Sequence, residues 1–346
     1  MVSHSVEASL RDIESTNPWS MVKRALVRWE GGLVILLAVS LIYGWTVSPY
    51  FINWETFFFA GLNFGEIAIM ALPLTLIIIT GEIDLSVASM LGLSASILGY
   101  LYMHHWNLWA AMGICLLVGV AGGALNGLLV TRVGLPSIAV TIGTLTLYRG
   151  IALIVLGSNT AEGFPGWTNR FSAAIGSTHL AYDFAIFLVL AIIFGVVLHM
   201  TPLGRSIYAI GLQQEAAYFS GIRVKRIKLG LYVVSGLLCS FAGILYTFQQ
   251  ASSASDTGLG LELNVVAIAL FGGVSIFGGR GTIFGVCISV ATLASLQASL
   301  TGINVSAQVQ SIVTGCLLLL SVLVPRGLEY LGRFRGQSQR RMAKEL

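Results

Sequence analysis

Apolar runs of about twenty residues recur from end to end of this chain, and a run of that length crosses the roughly 30 Å core of a bilayer as a helix. They fall at 32–50, 57–80, 87–103, 108–131, 137–156, 181–200, 229–247, 265–277, 284–298 and 309–324. The pattern predicts an all-α polytopic membrane protein of about ten transmembrane helices, with the eighth and ninth runs the least sharply bounded. Both termini are predicted to be cytoplasmic, with a tail over 1–30, a transmembrane domain over 31–325 and a second tail over 326–346. No small-residue cleavage pattern follows the first run, so it reads as a retained span and not a removable leader.

Composition closes off the soluble alternatives. Of 346 residues, 56% are hydrophobic and 10% charged, against about 25% charged in a soluble domain, and mean hydropathy is +0.85. The 40 glycines read as helix-packing residues, because small side chains let helices approach closely in a bilayer. Cys115, Cys239, Cys287 and Cys316 fall singly within apolar runs, without the spacing of a metal site or a disulfide framework. The net charge of +4 is topological. With the amino end inside, the rule that Lys and Arg gather on the cytoplasmic side is met: of these residues only Arg170 falls outside and only Arg149 falls well within a run. The lipid bilayer is the expected partner, and nucleic acid is not.

Two connections are long. The outer one, 158–180, contains Pro165, Trp167 and Arg170 and suits either a docking surface or an ordinary loop. The inner one, 201–228, carries Arg205, Arg223, Lys225, Arg226 and Lys228 and a stretch of helix formers, 213–219, ahead of Gly221. Glycine just past a helix end supplies a left-handed cap, so a short helix is predicted across the cytoplasmic face.

Three clusters hold candidate chemistry. Thr80-Gly81-Glu82-Ile83-Asp84-Leu85-Ser86 places two carboxylates between apolar runs with hardly any loop. Asp84 or Ser86 is positioned to cap the next helix, and a broken helix here would expose polar backbone to a translocation path; the two readings are compatible. Glu66 and Arg149 are charges inside runs at similar depth, and such charges are costly unless paired or wetted. An ion pair lining the outer half of a pathway is one expectation; the other has Arg149 snorkelling outward and Glu66 bonded to hydroxyls. The glycine-rich 271–282 lacks the Gly-Lys pair of a P-loop, which occurs nowhere in the chain, so no ATP hydrolysis is expected here. A tight cytoplasmic turn with Arg280 at the interface is expected instead. No Ser/His/Asp or Cys/His arrangement stands out, so no catalytic residue, metal site or bound cofactor is expected.

Together these stretches resemble one family, the permease subunits of ABC importers for monosaccharides, in the ribose, xylose, rhamnose and autoinducer-2 group. The resemblance runs over 56–324. It rests on Gly81-Glu82-Ile83-Asp84-Leu85-Ser86-Val87, on Asn126-Gly127-Leu128-Leu129-Val130 with 135–144, and on the 272–281 turn. Glu215-Ala216-Ala217, with Gly221 beyond it, resembles the loop by which such permeases engage their ATPase. Glu82, where many members have glycine, looks most like the rhamnose-type branch. The resemblance implies a bacterial inner-membrane, multi-pass protein. It would work beside a second permease copy, identical or not, with a separate ABC ATPase subunit that binds ATP and Mg and a periplasmic or extracellular sugar-binding protein. The cargo would be a pentose, a deoxyhexose such as rhamnose, or an autoinducer-2-like sugar.

The candidate residues are then Gly211, Glu215, Ala216, Ala217 and Gly221 for ATPase coupling, and Glu66, Glu82, Asp84, Ser86, Asn126 and Arg149 for the pathway or helix break. Ala216 and Ala217 are expected to seat in a groove of the ATPase, with Arg223, Lys225, Arg226 and Lys228 flanking that contact at anionic headgroups. Two other readings stay open. One is a branched-chain amino-acid ABC permease of the same superfamily, and the other an ion-coupled secondary carrier, which would leave the inner short helix unexplained.

Overall fold

The computed structural model describes residues 29–47, 51, 53–176, 178–320 and 323, and within them each predicted run is a helix. α1 (Trp29–Val47), α2 (Trp54–Ile79), α3 (Val87–Met103) and α4 (Leu108–Leu128) are followed by α5 (Ser137–Leu156) and α6 (Tyr182–Met200). Two short helices, α7 (Pro202–Leu212) and α8 (Gln214–Phe219), precede α9 (Val224–Gln249), α10 (Leu261–Phe271) and α11 (Ile283–Gly302). An apolar helix, α12 (Ala307–Leu320), ends the series. α2, α4 with its continuation, α5, α6, α9 and α11 are long and apolar enough to cross a membrane, and α1, α3, α10 and α12 are shorter apolar helices. The protein is an all-α polytopic membrane protein. Its predicted tails fall almost wholly outside the described residues.

The boundaries depart from expectation where polar residues sit at helix ends. The seventh run begins five residues early, at Val224, which draws Lys228 out of the predicted loop and into α9. The eighth ends at Phe271 because Gly273, at φ +85°, turns the chain there. α4 continues as a π turn, Leu129–Val133, before Gly134 at φ +82° stops it. Side chains close several other ends: Asn107 Oδ1 accepts from the Trp109 and Ala110 amides at the start of α4, and Thr282 Oγ1 accepts from Gly285 at the start of α11.

α2 is the centre of the bundle. From Phe64 to Ile79 every residue is buried, as expected of a helix that is apolar all round, and α6, α9, α10 and α11 surround it. α3 is enclosed by α4, α5 and α9. Glycines set the closest of these contacts: a Cβ on Gly119 of α4 or Gly236 of α9 would overlap the other residue's carbonyl oxygen. α5 and α6 expose Ile151, Ile154, Val189 and Ile192, an apolar outer surface that suits lipid.

The loop over 158–180 is packed down onto the bundle. β1 (Ala161–Glu162) pairs antiparallel with β2 (Ser252–Ser253), which follows α9. Trp167 stacks on Trp109 at 5.1 Å and meets Phe248 edge-on at 5.5 Å. These rings seal the ends of α4 and α9.

Candidate functional site

The most polar region of the interior starts where α2 stops. After Ile79 the chain turns at Gly81, φ +81°, and residues 82–86 form no helix before α3 begins at Val87. Ile83 donates its amide to Ser137 Oγ at 3.2 Å, at the first residue of α5. Arg149, about three helical turns further along α5, donates to the Ala88 carbonyl at 3.4 Å. The non-helical stretch from Ile83 to Ser86 therefore runs beside α5, and α3 starts at buried Val87 and Ala88, inside the bundle. Unwound backbone at membrane depth must find partners within the protein, and here it does.

The side chains of this segment and their neighbours link it to three helices, α4, α5 and α9. Asp84 Oδ1 accepts from the Ser86 amide at 2.9 Å and the Ser86 hydroxyl at 2.6 Å, and Asp84 Oδ2 accepts from Ser235 of α9 at 3.3 Å. Asn126 of α4 donates to Ser86 Oγ at 2.8 Å. Tyr148 of α5 donates to the Gly122 carbonyl at 3.0 Å and approaches Asn126 Oδ1 at 3.5 Å. Asp84, Ser86, Asn126, Tyr148 and Ser235 are all buried. Ser86, the residue before α3, makes no side-chain cap bond to the helix; its amide is taken by Asp84 and its hydroxyl serves the network.

Glu66 and Arg149 do not form the expected pair. Arg149 Nη1 donates to the Thr257 carbonyl at 2.5 Å, so the arginine clamps the connection before α10 onto the start of α3. Glu66 is buried on α2, where α6 places Asp183 against neighbouring Gly65. Lys228 instead forms an ion pair with Glu82, at 2.5 Å. Uptake by the Glu66→Arg/Arg149→Glu double variant is accordingly expected to stay as low as in the worse single variant; recovery toward the wild-type rate would reinstate the pairing.

The segment over 201–228 docks on the same end of α2. A Cβ on Gly211 would overlap the Ile79 carbonyl and the Gly279 amide, so α7 lies against both the end of α2 and the glycine-rich turn. Tyr208 donates to the Gly281 carbonyl at 2.6 Å, and the Gly279 amide donates to Ile79 at 2.8 Å. α8 ends as predicted, with Gly221 at φ +84° and its amide donating to Tyr218 at 3.0 Å.

Which faces of α8 are free corrects the expectation. Ala217 is buried against Ile210 and Val224 of its own chain, so it does not seat in another protein. Exposed are Glu215, Ala216, Tyr218 and Phe219, with Leu212 beside them. Phe219 is 85% exposed. Lys228 is buried as well, and its headgroup role lapses.

A groove between α2 and α11 carries polar side chains that the sequence did not single out. Asn63 and Gln297 are exposed in it, with Phe59, Ala60 and Thr301 alongside. Exposed amides within membrane-crossing helices call for water, cargo or another protein as cover, not lipid. Asp183 carried a readable signal, an acid two places into an apolar run. Ser235 carried none, since a serine in a helix has no distinctive spacing.

A helical bundle with an unwound, hydrogen-bonded segment in its interior and a short helix presented beside it is the build of a membrane permease. A family model described as branched-chain amino acid transport system / permease component matches residues 57–322. The autoinducer 2 import system permease protein LsrD of Photorhabdus temperata is 30% identical over 92% of this chain and 97% of its own length. Those of Klebsiella pneumoniae and Escherichia coli K12 are each 32% identical, over 86% and 85% of this chain and 91% of their own. No solved structure matches the chain. The chain belongs to this ABC-importer permease family and is a multi-pass protein of the bacterial inner membrane.

Proposed function

We propose that this permease moves a sugar of the autoinducer-2 type, and that it does so without ATPase activity of its own, driven by a separate ABC ATPase and supplied by a binding protein. The observation that carries the mechanism is the meeting of α7, the glycine-rich turn and the end of α2 around Gly211. A push on α8 reaches the unwound segment through backbone contacts with no flexible link between. The apolar surface of Leu212, Tyr218 and Phe219 is the seat for the ATPase, with Glu215 and Ala216 beside it.

The cargo assignment draws on the named relatives, which are autoinducer 2 permeases. The groove supports it through Asn63, Gln297 and Thr301, whose amides and hydroxyl match a polyol, beside Phe59 and Phe64, whose rings can stack on a sugar face. A second permease copy across that groove would complete a water-lined path. In this reading Glu66, Asp84, Ser86, Asn126 and Arg149 hold the walls of the path from behind, and Glu82 joins the unwound segment to the coupling loop. The secondary-carrier reading is not favoured because it gives α8 no task.

The test is co-purification in detergent with candidate ATPase subunits, followed by uptake of autoinducer 2, rhamnose and leucine in proteoliposomes containing the complex and its binding protein. An ATPase should accompany the wild-type chain and be lost in Glu215→Lys, in Phe219→Ser and in Gly221→Pro, where proline's fixed φ near −65° cannot replace φ +84°. Uptake of leucine in preference to both sugars would overturn the cargo assignment, and solute uptake by the purified chain alone on an ion gradient would overturn the ABC mechanism.

A further inference from the structure

We propose that Lys228 is the strut that carries movement of the coupling helix to the unwound segment. This rests on the ABC-permease reading given above. Lys228 stands in the second turn of α9, and its side chain is 6% exposed. Its ammonium donates to Gln214 Oε1 at 2.5 Å and to Glu82 Oε1 at 2.5 Å. Gln214 is the first residue of α8, and Glu82 is the first residue of the non-helical stretch that leads through Asp84 to α3. One buried cation therefore ties three elements: the helix that faces the ATPase, the root of α9, and the segment at the inner end of the pathway.

The chemistry fits a strut better than an ordinary surface contact. A buried ammonium must keep its partners, because removal of one leaves a charge uncompensated in a low-dielectric site. When α8 shifts, Gln214 and Glu82 cannot separate from Lys228 independently, so displacement of one is felt by the other. Glu82 transmits it directly, since the next amide, Ile83, is bonded to Ser137 of α5. The Tyr208–Gly281 bond runs from the loop to the glycine-rich turn and does not touch residues 82–86. Lys228 thus gives α8 its own polar line to the segment that opens or closes the inner end.

The experiment uses the complex of this chain with its co-purifying ATPase and binding protein in proteoliposomes, with autoinducer 2 and rhamnose as probes. Lys228→Met, Glu82→Gln and Gln214→Leu are compared with wild type for ATPase co-purification, basal ATP hydrolysis, stimulation of hydrolysis by loaded binding protein, and uptake. Co-purification and basal hydrolysis should be retained in all three, while stimulation and uptake fall by about tenfold, within the usual range for coupling between sites. Gln214→Leu leaves the Lys228–Glu82 pair in place and so tests the strut in a fold that keeps its buried charges compensated. The Glu82→Lys/Lys228→Glu exchange should recover most of the uptake, because the Gln214 amide can turn to donate to a carboxylate at 228.

Wild-type stimulation and uptake in Gln214→Leu and Glu82→Gln would overturn the strut and leave the ABC reading intact. Failure of any ATPase to accompany the wild-type chain would remove the ABC reading itself. Loss of uptake that the exchange does not restore, with stimulation and basal hydrolysis falling together, would show a structural pair and no coupling.

Discussion

Replacement of Asp84 by alanine is expected to lower the unfolding temperature of the purified chain markedly and to abolish uptake, whereas asparagine should be tolerated far better. Asp84 accepts three hydrogen bonds, from the Ser86 amide, the Ser86 hydroxyl and Ser235. Alanine leaves those donors without an acceptor where no water replaces it, and a buried donor left unsatisfied costs about 1–3 kcal/mol. The expected loss is roughly 2–5 kcal/mol once the Asn126–Ser86 bond loosens with it. Asparagine keeps an oxygen toward Ser86, and its amide can donate to Ser235 Oγ. The Ser235 hydroxyl can then turn to Cys239 Sγ, 4.0 Å away. Thermal unfolding in detergent and uptake on the same preparations check the ranking of wild type, then asparagine, then alanine. If asparagine were as damaging as alanine, the negative charge itself would be the requirement, and a role in contact with cargo or a cation would replace the structural one.

The contrast between Asp84 and Glu66 shows what the sequence could and could not reveal. Hydropathy alone located the helices, because apolar length is a one-dimensional property and a bilayer imposes it directly. Local chemistry was equally legible: Gly221 as a left-handed cap, the turn of glycines before α11, and the break at Gly81. Each depends on neighbours in sequence. The pairing of Glu66 with Arg149 failed because equal depth does not fix the angular position of a residue around the bundle. Helix packing placed Arg149 against α3 and the loop before α10, and turned Glu66 toward Asp183. Lys228 was misread for a related reason. It lies in a basic run that looks like a solvated loop, and only the early start of α9 at Val224 turns it inward. Ala217 was read as a contact for a partner, yet a small residue on a short helix seats equally well on its own chain, and Ile210 and Val224 take it. What sequence leaves open is which face of each helix turns to which neighbour.

Gly211→Ala is expected to uncouple the permease even though it adds a single methyl group, and Gly211→Val to do so completely. The neighbours of a Cβ at this position are the Ile79 carbonyl and the Gly279 amide, and both are backbone atoms at the end of one helix and within a tight turn. A flexible side chain could swing aside; these cannot, since Ile79 O already accepts from the Gly279 amide at 2.8 Å. Relief must come from movement of α7 as a body, which would draw Tyr208 from Gly281 and lift α8. Overpacking of this kind costs about 1–3 kcal/mol, enough to undock a surface loop while the bundle behind it stays folded. Gly195→Ala is the matched control, because a Cβ there meets nothing within 4 Å. Three measurements decide the matter: unfolding temperature, protease cleavage between 201 and 228, and uptake by the assembled complex. Gly195→Ala should behave as wild type in all three. Gly211→Ala should keep the unfolding temperature nearly unchanged, be cut faster in the loop and lose about tenfold in uptake, as expected when coupling between two sites is lost. Wild-type uptake in Gly211→Ala would mean that α7 moves relative to the end of α2 without consequence, and the force would then have to enter the bundle along α9 instead.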